Sequence, residues 1–230
     1  DDDSVRQLGI LLDRKEWPPM AYRDRADYLG DPDFVRMPTT RLIDPQYADA
    51  LRASIRLDHA TPSAALPAAQ PTADGPHTTH FAILDQDGNR VAATLSINYP
   101  FGAALVVPGT GVLLNDEMDD FSAKPGVPNA YGLVGADANA IAPGKRMLSS
   151  MTPTFLETDE RVALLGTPGG SRIISMVLLG VLEFADGKGP RDWVARPRFH
   201  HQYLPDVIQF ESAAIDALVQ EDLRERGHTL

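Results

Sequence analysis

The sequence predicts a layered α+β domain. Three observations carry that expectation: two alternating apolar stretches joined by a strong turn, further short strand-like runs, and a helix-length apolar segment beyond them. The paired stretches are Thr78–Asp85 (TTHFAILD) and Arg90–Asn98 (RVAATLSIN), separated by Asp85-Gln86-Asp87-Gly88-Asn89. Period-two alternation on both sides of an Asp/Gly/Asn turn predicts a β-hairpin. Further strands are expected at Gly111–Leu114 and Arg161–Leu165. Arg172–Phe184 (RIISMVLLGVLEF) is a long, mostly apolar segment of helix length. A helix-like piece is expected around Tyr47–Ile55, and a last helix over Ser212–Glu225. No internal repeat is present.

Composition narrows the function class. The 230 residues are 43% hydrophobic and 23% charged, as in ordinary globular chains. No apolar run approaches the roughly 18 residues a membrane helix needs. The N-terminal Asp1-Asp2-Asp3-Ser4 lacks the basic-then-apolar order of a signal peptide. A net charge of -11 argues against nucleic acid, whose phosphates call for clustered Lys and Arg. The absence of cysteine removes disulfides, thiolate metal sites and Cys nucleophiles together.

Three segments organise the chain. Residues 1–60 hold short apolar and charged stretches. Residues 61–77 (TPSAALPAAQPTADGPH) carry four prolines and few large apolar side chains, which predicts an exposed linker. Residues 78–230 open on the hairpin and contain the remaining predicted elements.

A linker running straight into Thr78 is chemically useful. A Thr hydroxyl is a weak nucleophile and needs a base. Cutting the chain before Thr78 frees an α-amine on the same residue, with a pKa of about 7.7–8.0, able to accept the hydroxyl proton. The plain reading is a β-branched pair starting a strand, and from Thr78-Thr79 alone it is favoured. Gly166-Thr167-Pro168-Gly169-Gly170-Ser171 lies between a strand and a helix, where the amides of Gly169 and Gly170 could form an oxyanion hole; a simple connecting turn remains open. Asn115–Asp120 (NDEMDD) holds four carboxylates. Glu117 and Asp120, three apart, would share a face in a helical turn, to bind a metal or an ammonium, or merely to face solvent. Ser149-Ser150 could bind a carboxylate or form a polar turn. His200-His201 are neighbours on a predicted strand and point to opposite faces, which disfavours a metal.

Taken together, TTHFAILDQDGNRVAATLSIN, GVLLNDEMDDFSAKPGVPNAYGLVGADANA, GKRMLSSMTPT, GTPGGSRII and PRFHHQYLPD make Thr78 to about Asp206 resemble the small subunit of gamma-glutamyltransferases, a family of the N-terminal nucleophile hydrolase superfamily. Ala21–Pro38 (AYRDRADYLGDPDFVRMP) resembles the end of that family's large subunit. The resemblance implies a four-layer αββα sandwich, incomplete in this chain. It makes residues 1–60 the remnant of the large-subunit end, 61–77 the linker to an autocleavage site at His77-Thr78, and 78–230 a C-terminally truncated nucleophile domain.

Residue by residue, the resemblance implies that Thr78 is the processed nucleophile and that Ser96 supports it, where the family usually has Thr. Asn98, Glu117 and Asp120 match positions holding the substrate α-ammonium. Ser149 and Ser150 match those holding its α-carboxylate, and Gly169 and Gly170 the oxyanion hole. Lys124–Gly135 resembles the lid loop, with Tyr131 as its covering aromatic. The implied reaction takes a γ-glutamyl group from glutathione or another γ-glutamyl amide and passes it to water, an amino acid or a peptide, with neither metal nor organic cofactor. The implied partner is the large-subunit segment of the same precursor, and the implied compartment is periplasmic or extracellular. Most of the large subunit, including its substrate-binding Arg, has no counterpart here, and residues 1–19 depart from the family pattern. Two other readings follow: a related acylase acting on glutaryl-type amides, and an inactive remnant.

Overall fold

The computed structural model describes residues 17–56, 58–63 and 78–230. In chain order the helices are α1 (Trp17–Tyr28), α2 (Thr39–Leu42), α3 (Pro45–Ser54), α4 (Ile173–Ala185), α5 (Pro190–Ala195) and α6 (Ala217–Glu225). The strands are β1 (Thr78–Leu84), β2 (Arg90–Ser96), β3 (Thr154–Glu157), β4 (Val162–Leu165), β5 (Phe199–His200) and β6 (Gln209–Phe210). They pair as three two-stranded antiparallel sheets, β1-β2, β3-β4 and β5-β6. Helices and small sheets together make the α+β class expected. No helix among the described residues is long and apolar enough to cross a membrane. Most of the predicted linker, 64–77, lies outside the described residues.

The chain divides into two compact units. Of the described residues, one comprises 17–56, 58–63, Phe121–Leu148 and Arg196–Leu230; the other comprises 78–120 and Ser149–Ala195.

In the unit that contains Thr78, β1 and β2 form the predicted hairpin, in register from Thr78↔Ser96 to Leu84↔Arg90. Its turn is closed by the Asp85 carboxylate, which accepts from the backbone N–H of Asp87 at 2.9 Å and of Asn89 at 2.8 Å. Gly88 supplies the left-handed residue there, with φ +82°. Side chains alternate across the sheet. Thr78, His80 and Ala82 therefore share a face with Ser96, Thr94 and Ala92, while Thr79, Phe81 and Ile83 share the other with Leu95, Ala93 and Val91. On that second face Phe81, Ile83, Val91 and Leu95 are exposed.

After the β3-β4 hairpin, residues 166–169 lead into a 3₁₀ turn (Gly170–Arg172) and then α4. The helix buries Ile173, Val177, Leu179, Leu182 and Phe184, each such side chain contributing about 1.5–3 kcal/mol. Gly180 on α4 faces Leu165 of β4 closely enough that an added Cβ would stand 3.6 Å from it. At the far end Arg161 lies 4.5 Å over the Phe184 ring and donates to the Phe184 carbonyl at 2.8 Å.

In the other unit, α1 buries Tyr22, which meets the His200 ring edge-on at 5.6 Å. Ile208, Ile215 and Leu223 form a small core with Phe210, Val219 and Leu230 against it. The buried Asp31 carboxylate accepts from the Arg146 backbone N–H at 2.8 Å and from its guanidinium at 2.6 Å. The guanidinium first, then the backbone amide, hold the Asp31 carboxyl well below the usual carboxylate range. A depressed carboxyl contributes stability that is present above about pH 4 and lost as pH falls towards the folded-state value. Arg146→Ala is therefore expected to lower the melting temperature by several degrees at pH 7, with the deficit shrinking in acid. Thermal unfolding of both proteins from pH 7 to pH 3 checks this; a deficit independent of pH would contradict it.

Two sequence expectations are corrected. Gly111–Leu114 is not a strand but part of a tight loop with one bridge, Val106↔Leu113. Gly109 and Gly111, at φ +78° and +71°, fold the chain back so that Val107 N–H donates to the Val112 carbonyl. The last helix starts at Ala217 rather than Ser212. Asp216 caps it by accepting from Val219 N–H at 2.9 Å, and the residues before it turn over the Glu211 carbonyl.

Candidate active site

Thr78 is the first residue of β1, and the hairpin register sets it opposite Ser96. Their hydroxyl oxygens stand 3.0 Å apart, and either can donate. Ser96 Oγ also accepts from Asn98 N–H at 2.9 Å, which fixes its position. A Ser96 hydroxyl turned to donate would stabilise negative charge developing on Thr78 Oγ1.

The same connection leads to the acidic loop. Asn98 is buried and left-handed at φ +68°, a conformation Asn tolerates better than most residues. Its side-chain amide donates to the Asp116 carbonyl at 3.4 Å, while Tyr99 N–H donates to the Asp116 carboxylate at 3.0 Å. The Tyr99 hydroxyl donates to Asp119. Two of the four carboxylates thus serve the loop itself. Glu117 and Asp120 are the first and last residues of a 3₁₀ turn, Glu117–Asp120, where positions three apart eclipse on one side. Glu117 Oε1 is enclosed and meets no hydrogen-bond partner among the described residues. An enclosed, unsatisfied carboxylate oxygen is costly, and a hydrogen-bond donor, an ammonium among others, would satisfy it.

The glycine turn is conformationally unusual. Gly169 has φ +140° and Gly170 φ +56°, angles that L side chains rarely adopt. They precede α4, at the positive end of its dipole, where no side chain among the described residues caps the turn and no acidic residue occupies the first turn of the helix. Amides at such a terminus suit a developing oxyanion.

Ser149 and Ser150 belong to the same unit as Thr78. The Ser149 hydroxyl accepts from Met151 N–H at 3.1 Å, and the Ser150 carbonyl accepts from the Thr152 hydroxyl. Tyr131 belongs to the other unit. It sits in a loop pinned by the Asn129 carboxamide, which accepts from Tyr131 and Leu133 N–H at 3.0 Å each, and its carbonyl accepts from Gln202. His200 and His201 are both buried; His200 Nε2 meets Gln202 and His201 Nε2 meets Asp206.

His80 is the residue that sequence reasoning missed. It lies on the Thr78 face of the hairpin, its Nδ1 2.8 Å from the Thr94 hydroxyl. Burial pushes its pKa below the ordinary imidazole value. The signal available in the sequence was its two-residue offset from Thr78.

Residues 15–230 match the profile of the gamma-glutamyltranspeptidase family. The chain belongs to this family. Among its relatives in the family, the glutathione hydrolase proenzyme of Pseudomonas aeruginosa is 48% identical over 232 residues, covering 99% of this chain and 41% of that protein. An acylase proenzyme from a Pseudomonas species is 37% identical over 228 residues, covering 98% of this chain and 37% of its own length. The chain thus spans about two fifths of the length of each of these two relatives. Among solved structures, the gamma-glutamyltranspeptidase of Pseudomonas nitroreducens, complexed with L-DON, superposes with a TM-score of 0.61 at 51% identity, covering 66% of this chain and 81% of that one.

Proposed function

We propose that the protein carrying this chain is a self-processing enzyme that hydrolyses and transfers γ-glutamyl groups, with glutathione and other γ-glutamyl amides as donors. The observation that carries the reading is the Thr78–Ser96 hydroxyl pair at the first residue of β1. Membership of the family and a relative named as a glutathione hydrolase proenzyme support it. In processing, Thr78 Oγ1 attacks the His77 carbonyl carbon, the peptide C–N bond breaks, and water hydrolyses the resulting ester. Thr78 is then an N-terminal residue whose amine accepts the hydroxyl proton.

In turnover, Thr78 Oγ1 attacks the donor's γ-carbonyl carbon and the amine leaves with a proton. The Gly169 and Gly170 amides stabilise the oxyanion. Asn98, Glu117 and Asp120 hold the α-ammonium; Ser149 and Ser150 hold the α-carboxylate. Water or the amine of an amino acid or peptide then takes the γ-glutamyl group. The family resemblance makes Tyr131 and its loop the lid of the complete enzyme.

The exposed apolar face of the hairpin (Phe81, Ile83, Val91 and Leu95) needs covering, because exposed apolar patches of this kind mark interfaces. In the complete four-layer αββα sandwich, segments of the precursor's large subunit provide that cover. On this reading residues 1–60 close the large subunit, 61–77 lead to the cut, and 78–230 form the nucleophile-bearing part, in a periplasmic or extracellular enzyme.

Release of p-nitroaniline from γ-glutamyl-p-nitroanilide by the full-length gene product tests the function directly. Ser96→Ala is expected to slow that release roughly 2- to 10-fold, the worth of one neutral hydrogen bond, and Ser96→Thr to retain it. An unchanged Ser96→Ala rate would remove Ser96 from the mechanism. A relative named as an acylase proenzyme favours a second reading, an acylase, for which we take glutaryl-type amides as the donors. Such donors lack an ammonium and would leave Glu117 Oε1 unsatisfied, so glutaryl-p-nitroanilide is expected to be the poorer substrate.

A further inference from the structure

Gly166 is a glycine for a reason its own backbone does not supply. It is absent from the residues with positive φ, so a side chain there meets no intrinsic strain. The obstacle is His80. A Cβ built on Gly166 would stand 2.0 Å from His80 Nδ1, 2.1 Å from Cε1 and 2.6 Å from Cγ. The imidazole therefore lies flush on the Gly166 backbone, where one strand (β4) ends and the glycine turn begins.

The ring is held on its other side by the nucleophile hairpin. His80 is two residues after Thr78 on the same face of β1, and Thr94, its hydrogen-bonding partner, is two residues before Ser96 on β2. Nε2 is enclosed without a hydrogen-bond partner among the described residues. The ring's place is thus set by packing and by one bond to Thr94. A rigid aromatic in a close-packed site transmits displacement rather than absorbing it.

We propose that His80 is a positioning residue for the reaction at Thr78: its ring, wedged between the nucleophile hairpin and the Gly166 backbone, sets where the Gly169–Gly170 turn stands relative to the Thr78 hydroxyl. The inference rests on the functional reading above. Its physical content is distance, since a misplacement of about 1 Å between reacting groups can cost about a hundredfold in rate. The imidazole takes no part in proton transfer.

The test is a double-mutant cycle in the full-length gene product, with kcat and KM read on γ-glutamyl-p-nitroanilide. His80→Ala and Gly166→Ala are each expected to lower kcat about tenfold or more, with KM changed less than about twofold, because geometry rather than donor binding is disturbed. The double variant is expected to regain much of the lost rate, because the added methyl enters the space the ring has left. His80→Phe, which keeps the ring's bulk and guards against misfolded alanine variants, is expected to stay within about threefold of the parent. Singles that match the parent, losses confined to KM, a double variant whose losses simply multiply, or a His80→Phe as slow as His80→Ala would each overturn the proposal. If the parent protein neither cuts itself nor releases p-nitroaniline, the functional reading fails first; if it does both, these outcomes judge His80 alone.

Discussion

Thr78→Ala in the full-length gene product leaves one uncut polypeptide on a denaturing gel and lowers γ-glutamyl transfer by at least about ten-thousandfold, the scale on which removing a covalent nucleophile acts. Both losses have one cause. The same hydroxyl opens the His77–Thr78 bond and later attacks the donor, so no other group can replace it in either step. Thr78 is only partly buried, and losing its hydroxyl and methyl leaves the hairpin pairing intact, so the melting temperature stays close to that of the parent. Thr78→Ser, which keeps an oxygen at the position, is expected to cut itself and to turn over more slowly. An uncut Thr78→Ala protein with appreciable turnover would separate the two roles and contradict the mechanism.

Asp120→Ala raises the KM for γ-glutamyl-p-nitroanilide about 30-fold or more. Removing one member of an enclosed charge pair typically costs about 2–5 kcal/mol, and 2 kcal/mol is about 30-fold. The loss is specific to the ammonium: the preference of the parent for γ-glutamyl- over glutaryl-p-nitroanilide narrows in the variant, because the glutaryl donor never made the contact. Glu117, across the same 3₁₀ turn, retains part of the site, so binding weakens without vanishing. A KM within twofold of the parent, or equal losses on both donors, would take Asp120 out of the ammonium site.

What was legible in the sequence was local. The hairpin followed from alternation and from the Asp85–Asn89 turn, whose closure by the Asp85 side chain is chemistry within five residues. Its register then placed Ser96 opposite Thr78. The three-residue spacing of Glu117 and Asp120 was equally readable, and it is realised as a 3₁₀ turn. The elements that were misread depend on more than pattern. Gly111–Leu114 has strand-like composition, yet left-handed Gly109 and Gly111 coil it into a loop. The start of the last helix was set by the Asp216 cap rather than by composition, and Ile215 just before it is buried in the small core outside the helix. The contact of His80 with Gly166 could not be read at all, because it joins residues 86 positions apart and exists only once β4 packs beside β2.

The proposed mechanism depends most on where the chain is opened. N-terminal sequencing of the nucleophile-bearing polypeptide from an active preparation of the full-length gene product is expected to read Thr-Thr-His-Phe, the sequence of Thr78–Phe81. An active preparation in which that bond is intact, or in which the new terminus lies at another residue, would contradict it.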